Sequence, residues 1–138
     1  MNTKDWQSFA KVNPSVELLA FWHKAADHVG SGKLLRFSAT GKWSVLADVR
    51  CGPDGLPGFP VPFDKLLVPS APPGALIGKV GGSTADLKDG TIFTIGSFAV
   101  FTVPEKVSGP LYIGVNAIPG APISKLEQLD LTISSADP

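Results

Sequence analysis

Cysteine is almost missing from this chain of 138 residues. Cys51 stands alone, which excludes an internal disulfide and any site built from several thiolates. Charge is scarce as well, 17% of residues against roughly 25% in an average soluble domain. It is also balanced, with 12 Lys and Arg against 12 Asp and Glu. A chain of zero net charge has no basic footprint of a nucleic-acid binder, so no nucleic-acid partner is expected. Long apolar runs are lacking too. None approaches the roughly 18–20 residues that cross a bilayer, and Met1-Asn2-Thr3-Lys4-Asp5-Trp6 contains no signal-like apolar segment. The expectation is a soluble chain, cytoplasmic by default, without a membrane partner.

What is abundant points one way. Hydrophobic residues make up 43% of the chain, which argues against disorder. The 15 glycines and 13 prolines break long helices and favour short segments joined by turns. The length fits one domain over residues 1–138, and the composition is that of an all-β fold. Strands are expected over residues 33–40, 74–80, 91–95, 98–103, 111–116 and 128–133. In the last of these, Leu129, Leu131 and Ile133 alternate with Asp130 and Thr132, so one face covers a core. Leu111-Tyr112-Ile113-Gly114-Val115 has less polar interruption, as in a central strand.

Asp89-Gly90 before Thr91 marks a hairpin tip, because Asp-Gly favours positive φ. Residues 51–73, CGPDGLPGFPVPFDKLLVPSAPP, carry prolines too closely spaced for a helix or a central strand. A loop of that length in a small domain is either functional or a stiff cover over one end of a sandwich. Its Phe59 and Phe63 read as packing anchors, with stacking on a sugar ring as the functional alternative. One segment departs from the β pattern. Asn13-Pro14-Ser15-Val16-Glu17 has the N-cap and first-turn proline of a helix start, and Leu18, Leu19, Phe21, Trp22 and Ala25 follow at helical spacing. A short N-terminal helical insertion is expected there. Trp6, Trp22 and Trp43 are expected in core or half-buried positions.

Catalytic motifs are not convincing. Gly74-Ala75-Leu76-Ile77-Gly78-Lys79-Val80 has neither the spacing nor the trailing hydroxyl of a phosphate-binding loop and reads as a strand. His23 and His28, five apart, share a face of neither a helix nor a strand, so no metal pair forms. Asp27 beside His28 is no dyad by local geometry, and nothing in the sequence activates Cys51. No catalytic residue is expected.

Several residues nonetheless fall into a familiar order. Trp6-Gln7-Ser8-Phe9-Ala10-Lys11-Val12, the run from Gly32 to Trp43, Gly52-Pro53-Asp54-Gly55 and Gly74-Ala75-Leu76-Ile77-Gly78-Lys79-Val80-Gly81 resemble the calcium-dependent galactophilic bacterial lectins of the PA-I type. Pro104, Gly109 and Leu111-Tyr112-Ile113-Gly114-Val115-Asn116 continue the pattern, with insertions around residues 14–20 and 84–90. The resemblance implies a small jelly-roll β-sandwich, galactose-binding-domain-like. It also implies that the family's metal is lost. The family has Asn-Asp where this chain has Asn116-Ala117, and its Thr and two Asn ligands fall at Ala121, Ser124 and Lys125. Calcium takes six to eight oxygens including carboxylates, which Ala, Ser and Lys do not supply. A backbone ligand would fall at Leu46, and the sugar-contacting His and its following Pro match Phe59 and Pro60.

The combined expectation is a non-catalytic, lectin-like module without a cofactor. It would bind carbohydrate weakly or independently of calcium through Asp54, Phe59 and Asn116, on the 52–63 loop and the loop after Asn116. The alternative is an interaction or oligomerisation module of the same fold, forming a homo-oligomer.

Overall fold

A computed structural model describes residues 6–12, 22–45, 49–118 and 125–137 of the chain. Among them are nine strands: β1 (Gln7–Val12), β2 (His23–Val29), β3 (Leu34–Val45), β4 (Val49–Cys51), β5 (Leu76–Val80), β6 (Thr91–Thr94), β7 (Phe98–Thr102), β8 (Gly109–Val115) and β9 (Lys125–Ala136). The only helical element among the described residues is a 3-10 turn, Phe63–Lys65. All six strands expected from the sequence are present, and the expected helix start at residues 13–21 lies outside the described residues. Ala25, placed by helical spacing on that helix, is instead within β2.

The strands form two antiparallel sheets. One runs β1-β9-β3-β4, with β7 also paired to β3, and the other runs β2-β8-β5-β6. β3 is long enough to hold β9 along one edge and two short strands on the other, β7 against Leu34–Ser38 and β4 against Trp43–Val45. Leaving β4 aside, β1-β9-β3-β7 opposite β2-β8-β5-β6 is the strand order of a jelly roll, in which the chain keeps crossing between two sheets.

The main core lies between the sheets. Leu35, Phe37, Leu129, Leu131 and Ile133 from one sheet meet Leu76, Val80, Leu111 and Ile113 from the other. The alternation read in residues 128–133 is observed, with Leu129, Leu131 and Ile133 buried and Asp130 and Thr132 exposed. Between the edge strands β6 and β7, Phe93 stacks on Phe101 at 3.8 Å between ring centroids. Gly78 lies beneath this stack, and a Cβ there would stand 2.5 Å from the Phe93 ring.

The second sheet is covered on its outer face too, which is why all five residues of β5 are buried. Leu76 and Val80 point into the main core, while Ile77 joins Trp22, Leu67, Tyr112 and Ala117 in a second cluster. That outer cluster is roofed by two loops, residues 66–73 and residues 81–90, through Val68 and Leu87. Lys79 lies on the same face and is completely buried. The Asp89-Gly90 turn closes the β5–β6 pair as expected, with Val80 opposite Thr91 and Gly90 at φ 73°. The connection is broader than a tight turn, because residues 81–90 fold back over Lys79.

Candidate functional site

The proline-rich loop begins where β4 ends. Its first part is tied down by backbone bonds to the start of β5: Leu76 N–H donates to Pro53 O, and Asp54 forms an isolated bridge with Ala75. On the other side of the same segment, Asn116 N–H donates to Ala75 O and Gly74 N–H donates to Asn116 O, both at 2.8 Å. Gly74–Ala75 is therefore held between the Pro53–Asp54 strand end and the end of β8. The buried Trp43 indole adds a third tie, donating to Gly74 O at 2.8 Å.

Three residues carry the sequence-based expectation, and the fold uses each differently. Asp54 is exposed, with one carboxylate oxygen accepting from Ser97 N–H at 2.8 Å and the other from the Ser97 hydroxyl at 2.9 Å. It links the loop to the β6–β7 turn and still has lone pairs facing solvent. Phe59 is half-buried, in a turn closed by its own N–H to Leu56 O. Asn116 is completely buried. Its Oδ1 accepts from Val68 N–H, and its Nδ2 donates to the carbonyls of Val68, Ala71 and Pro72 at 2.9–3.1 Å. Asn116 thus positions the 68–72 segment and offers no amide to a ligand.

The loop is plugged onto the sandwich by aliphatic residues rather than by both phenylalanines. Leu66 and Leu67 are buried, whereas Phe63 remains 42% exposed. The loop thus shows solvent two partly exposed aromatic rings, Phe59 and Phe63, and the Asp54 carboxylate. Of the tryptophans, Trp43 and Trp22 are buried and Trp6 is half-buried, with the Arg36 guanidinium 4.5 Å from its ring centroid.

The oxygen set at Asn116 does not suit calcium. Its side-chain oxygen already accepts a backbone N–H, and its amide faces three carbonyls. Leu46, Ala121 and Ser124 lie outside the described residues. Among the described residues, no three His, Cys, Asp or Glu side chains are grouped to hold a metal.

Beside the loop a shallow cavity of about 300 Å³ is lined by Gly41, Lys42, Arg50, Cys51 and Gly52. It occupies the stretch of β3 between its β7 and β4 partners. Burial pushes the Cys51 thiol up to about 11, against the opposing effect of the Trp43 indole. The thiol is within 3.8 Å of Gly74 O, and His28 is on β2 in the other sheet. With a pKa near 11 instead of 9.0, the thiolate fraction at pH 7.5 falls on the order of a hundredfold. Iodoacetamide is accordingly expected to label Cys51 far more slowly in the folded protein than in urea, and equal rates would contradict the burial described.

No protein-family model matches the chain, and no curated protein matches it significantly.

Proposed function

We propose that this protein is a non-catalytic carbohydrate-binding module of the lectin type, which takes its sugar without calcium at the end formed by the 52–63 loop. The observation that carries this reading is the proline-rich loop itself. It leaves Phe59 and Phe63 partly exposed and carries the Asp54 carboxylate, on a backbone tied at Pro53 to Leu76, at Asp54 to Ala75 and at Leu56 to Pro73. Sugar recognition calls for that combination: an apolar face to lie against the ring, acceptors for hydroxyls, and little ordering left to do on binding. The ordered motifs that resemble the galactophilic lectins supply the choice of ligand class. Without a metal to hold two hydroxyls, affinity rests on one ring face and a few hydrogen bonds, so binding is weak, in the millimolar range on the order of 4 kcal/mol.

The test is retention on immobilised galactose and a panel of other glycans. Wild-type protein is expected to be retarded in the presence of a chelator. Phe59→Ala is expected to lose that retardation at an unchanged melting temperature, because Phe59 is only half-buried. A wild-type chain retarded by no glycan would refute the function. Retention that Phe59→Ala leaves intact would refute the site, and retention only with added calcium would refute the metal-free mode.

A further inference from the structure

Among the described residues the two sheets have five edge strands, and the longest unguarded one is β7. A strand edge presents unpaired N–H and C=O groups that template pairing with another chain, and monomers blunt it with charge, proline, bulges or short length. β1 carries Lys11 and a register break between Ser8 and Ala10. β2 has two register breaks and the Lys24–Asp27 ion pair. β4 is three residues long and contains Arg50, and β6 is only four residues long. β7 is the exception. Its sequence, Phe98-Ala99-Val100-Phe101-Thr102, has no charge, no proline and an unbroken register with β3.

The hydrogen bonds beyond both ends of β7 show which of its residues face the open side. Ala39 N–H donates to Ser97 O, Val103 N–H donates to Lys33 O, and Gly32 N–H donates to Val103 O. Backbone groups of alternate residues point to alternate edges. Residues 97, 99, 101 and 103 therefore face β3, and Phe98, Val100 and Thr102 turn theirs outward, where no described strand pairs with them. The side chains of the same three residues stand on the solvent face, with Phe98 60% and Val100 54% exposed.

We propose that the β7 edge is the interface of a two-fold homodimer, in which β7 pairs antiparallel with β7 of a second copy about Val100. The strand suits itself as a partner. With the axis at Val100, Val100 meets Val100 and each Phe98 meets a Thr102. All three are outward-facing positions, so every facing pair makes two backbone bonds. The exposed apolar side chains come together on one face of a continuous sheet, which is the isologous arrangement of a C2 dimer. Charge favours the same occupant. The chain is neutral overall and the strand uncharged, so identical copies do not repel and a charged segment finds nothing to pair with. Phe59 and the 56–73 part of the loop do not belong to this interface, whereas Asp54 of the proposed sugar site binds Ser97, the residue before Phe98.

Sedimentation of the full chain from about 1 to 500 µM tests the proposal. A species of twice the 14.4 kDa chain mass is expected to accumulate with concentration. Val100→Lys and, separately, Phe98→Lys are expected to raise the dissociation constant at least a hundredfold while each keeps a cooperative melt. Hydrogen exchange gives a reading that needs no variant: in wild-type protein the Val100 and Thr102 amides are expected to be slow at high concentration and fast on dilution. A chain that stays monomeric throughout, a dimer unaffected by either lysine, or edge amides whose exchange ignores concentration would overturn the proposal.

Discussion

Lys79→Met is expected to lower stability by about 3 kcal/mol, a loss of on the order of 10 °C in melting temperature. The ammonium is completely buried on the outer face of β5, and its three N–H bonds are all used: Ser83 O, Asp86 O at 3.0 Å and Asp89 Oδ1 at 2.7 Å. The rings of Trp22 and Tyr112 flank the charge at 5.1 and 5.0 Å. Methionine is unbranched and one atom shorter, and it deletes every one of these bonds. Loop 81–90 then has two carbonyls and a carboxylate facing an apolar surface. Circular dichroism melting checks the magnitude, and a change below about 1 kcal/mol would show that the loop holds itself.

The same contact sets an acid limb. Asp89 is held below its ordinary value of 3.8, chiefly by the Lys79 hydrogen bond and then by Ser83 N–H. A carboxyl with a lower pKa in the folded than in the unfolded chain binds fewer protons when folded. Its stabilising contribution is complete above pH 3.8 and is lost as the pH falls through the depressed folded value. Asp89→Asn is expected to remove that part of the pH dependence and to leave the Lys79 charge buried without its counter-ion at all pH values.

Asn116→Ala is the second large effect, a loss of about 3 kcal/mol, because it strands the Val68 N–H and the Ala71 carbonyl at once, while the Val68 and Pro72 carbonyls keep their bonds from Ala71 and Ala75 N–H. Asn116→Asp discriminates further. The carboxylate oxygen that replaces Nδ2 would face the carbonyls of Val68, Ala71 and Pro72. Such an aspartate resists ionisation in the folded chain, so its pKa rises above the unfolded value. The variant is therefore expected to be least impaired in acid, losing stability as the pH rises from the unfolded toward the folded pKa. Denaturant titrations between about pH 3 and 8 follow it, and equal losses at both ends would contradict the four-bond arrangement. Glycan retention changed by Asn116→Ala reports on the loop's shape, since the amide itself is out of a ligand's reach.

The sandwich was legible both where a strand has one wet face, as in residues 128–133, and where both faces are covered, as in β8, but β1 and β4 were not among the six strands expected. Residues 128–133 alternate because their strand covers the core on one side only. β2 escaped, and its residues explain why: His23-Lys24-Ala25-Ala26-Asp27-His28-Val29 is broken by two register shifts, so no period of two develops. β5 was found as a strand, but its complete burial depends on loops whose positions no local pattern encodes. Asp54 and Phe59 were readable as loop residues. The clamp role of Asn116 was not, because its partners lie 44–48 positions away. Lys79 drew attention only as a failed nucleotide motif. The usable signal was a lysine inside an apolar strand with Asp86 and Asp89 shortly after it.

The place of β9 has a further consequence. This strand, late in the chain, lies in the interior of its sheet, between β1 and β3, and pairs with β3 from Leu34↔Ala136 to Ser44↔Lys125. During synthesis β1 and β3 must therefore wait, unpaired along the edges that β9 will fill, until residues 125–136 have left the ribosome. Closure is a late event built on contacts distant in sequence, the kind that folds slowly. A nascent chain arrested before residue 125 can form hairpins such as β5–β6 but not the sandwich.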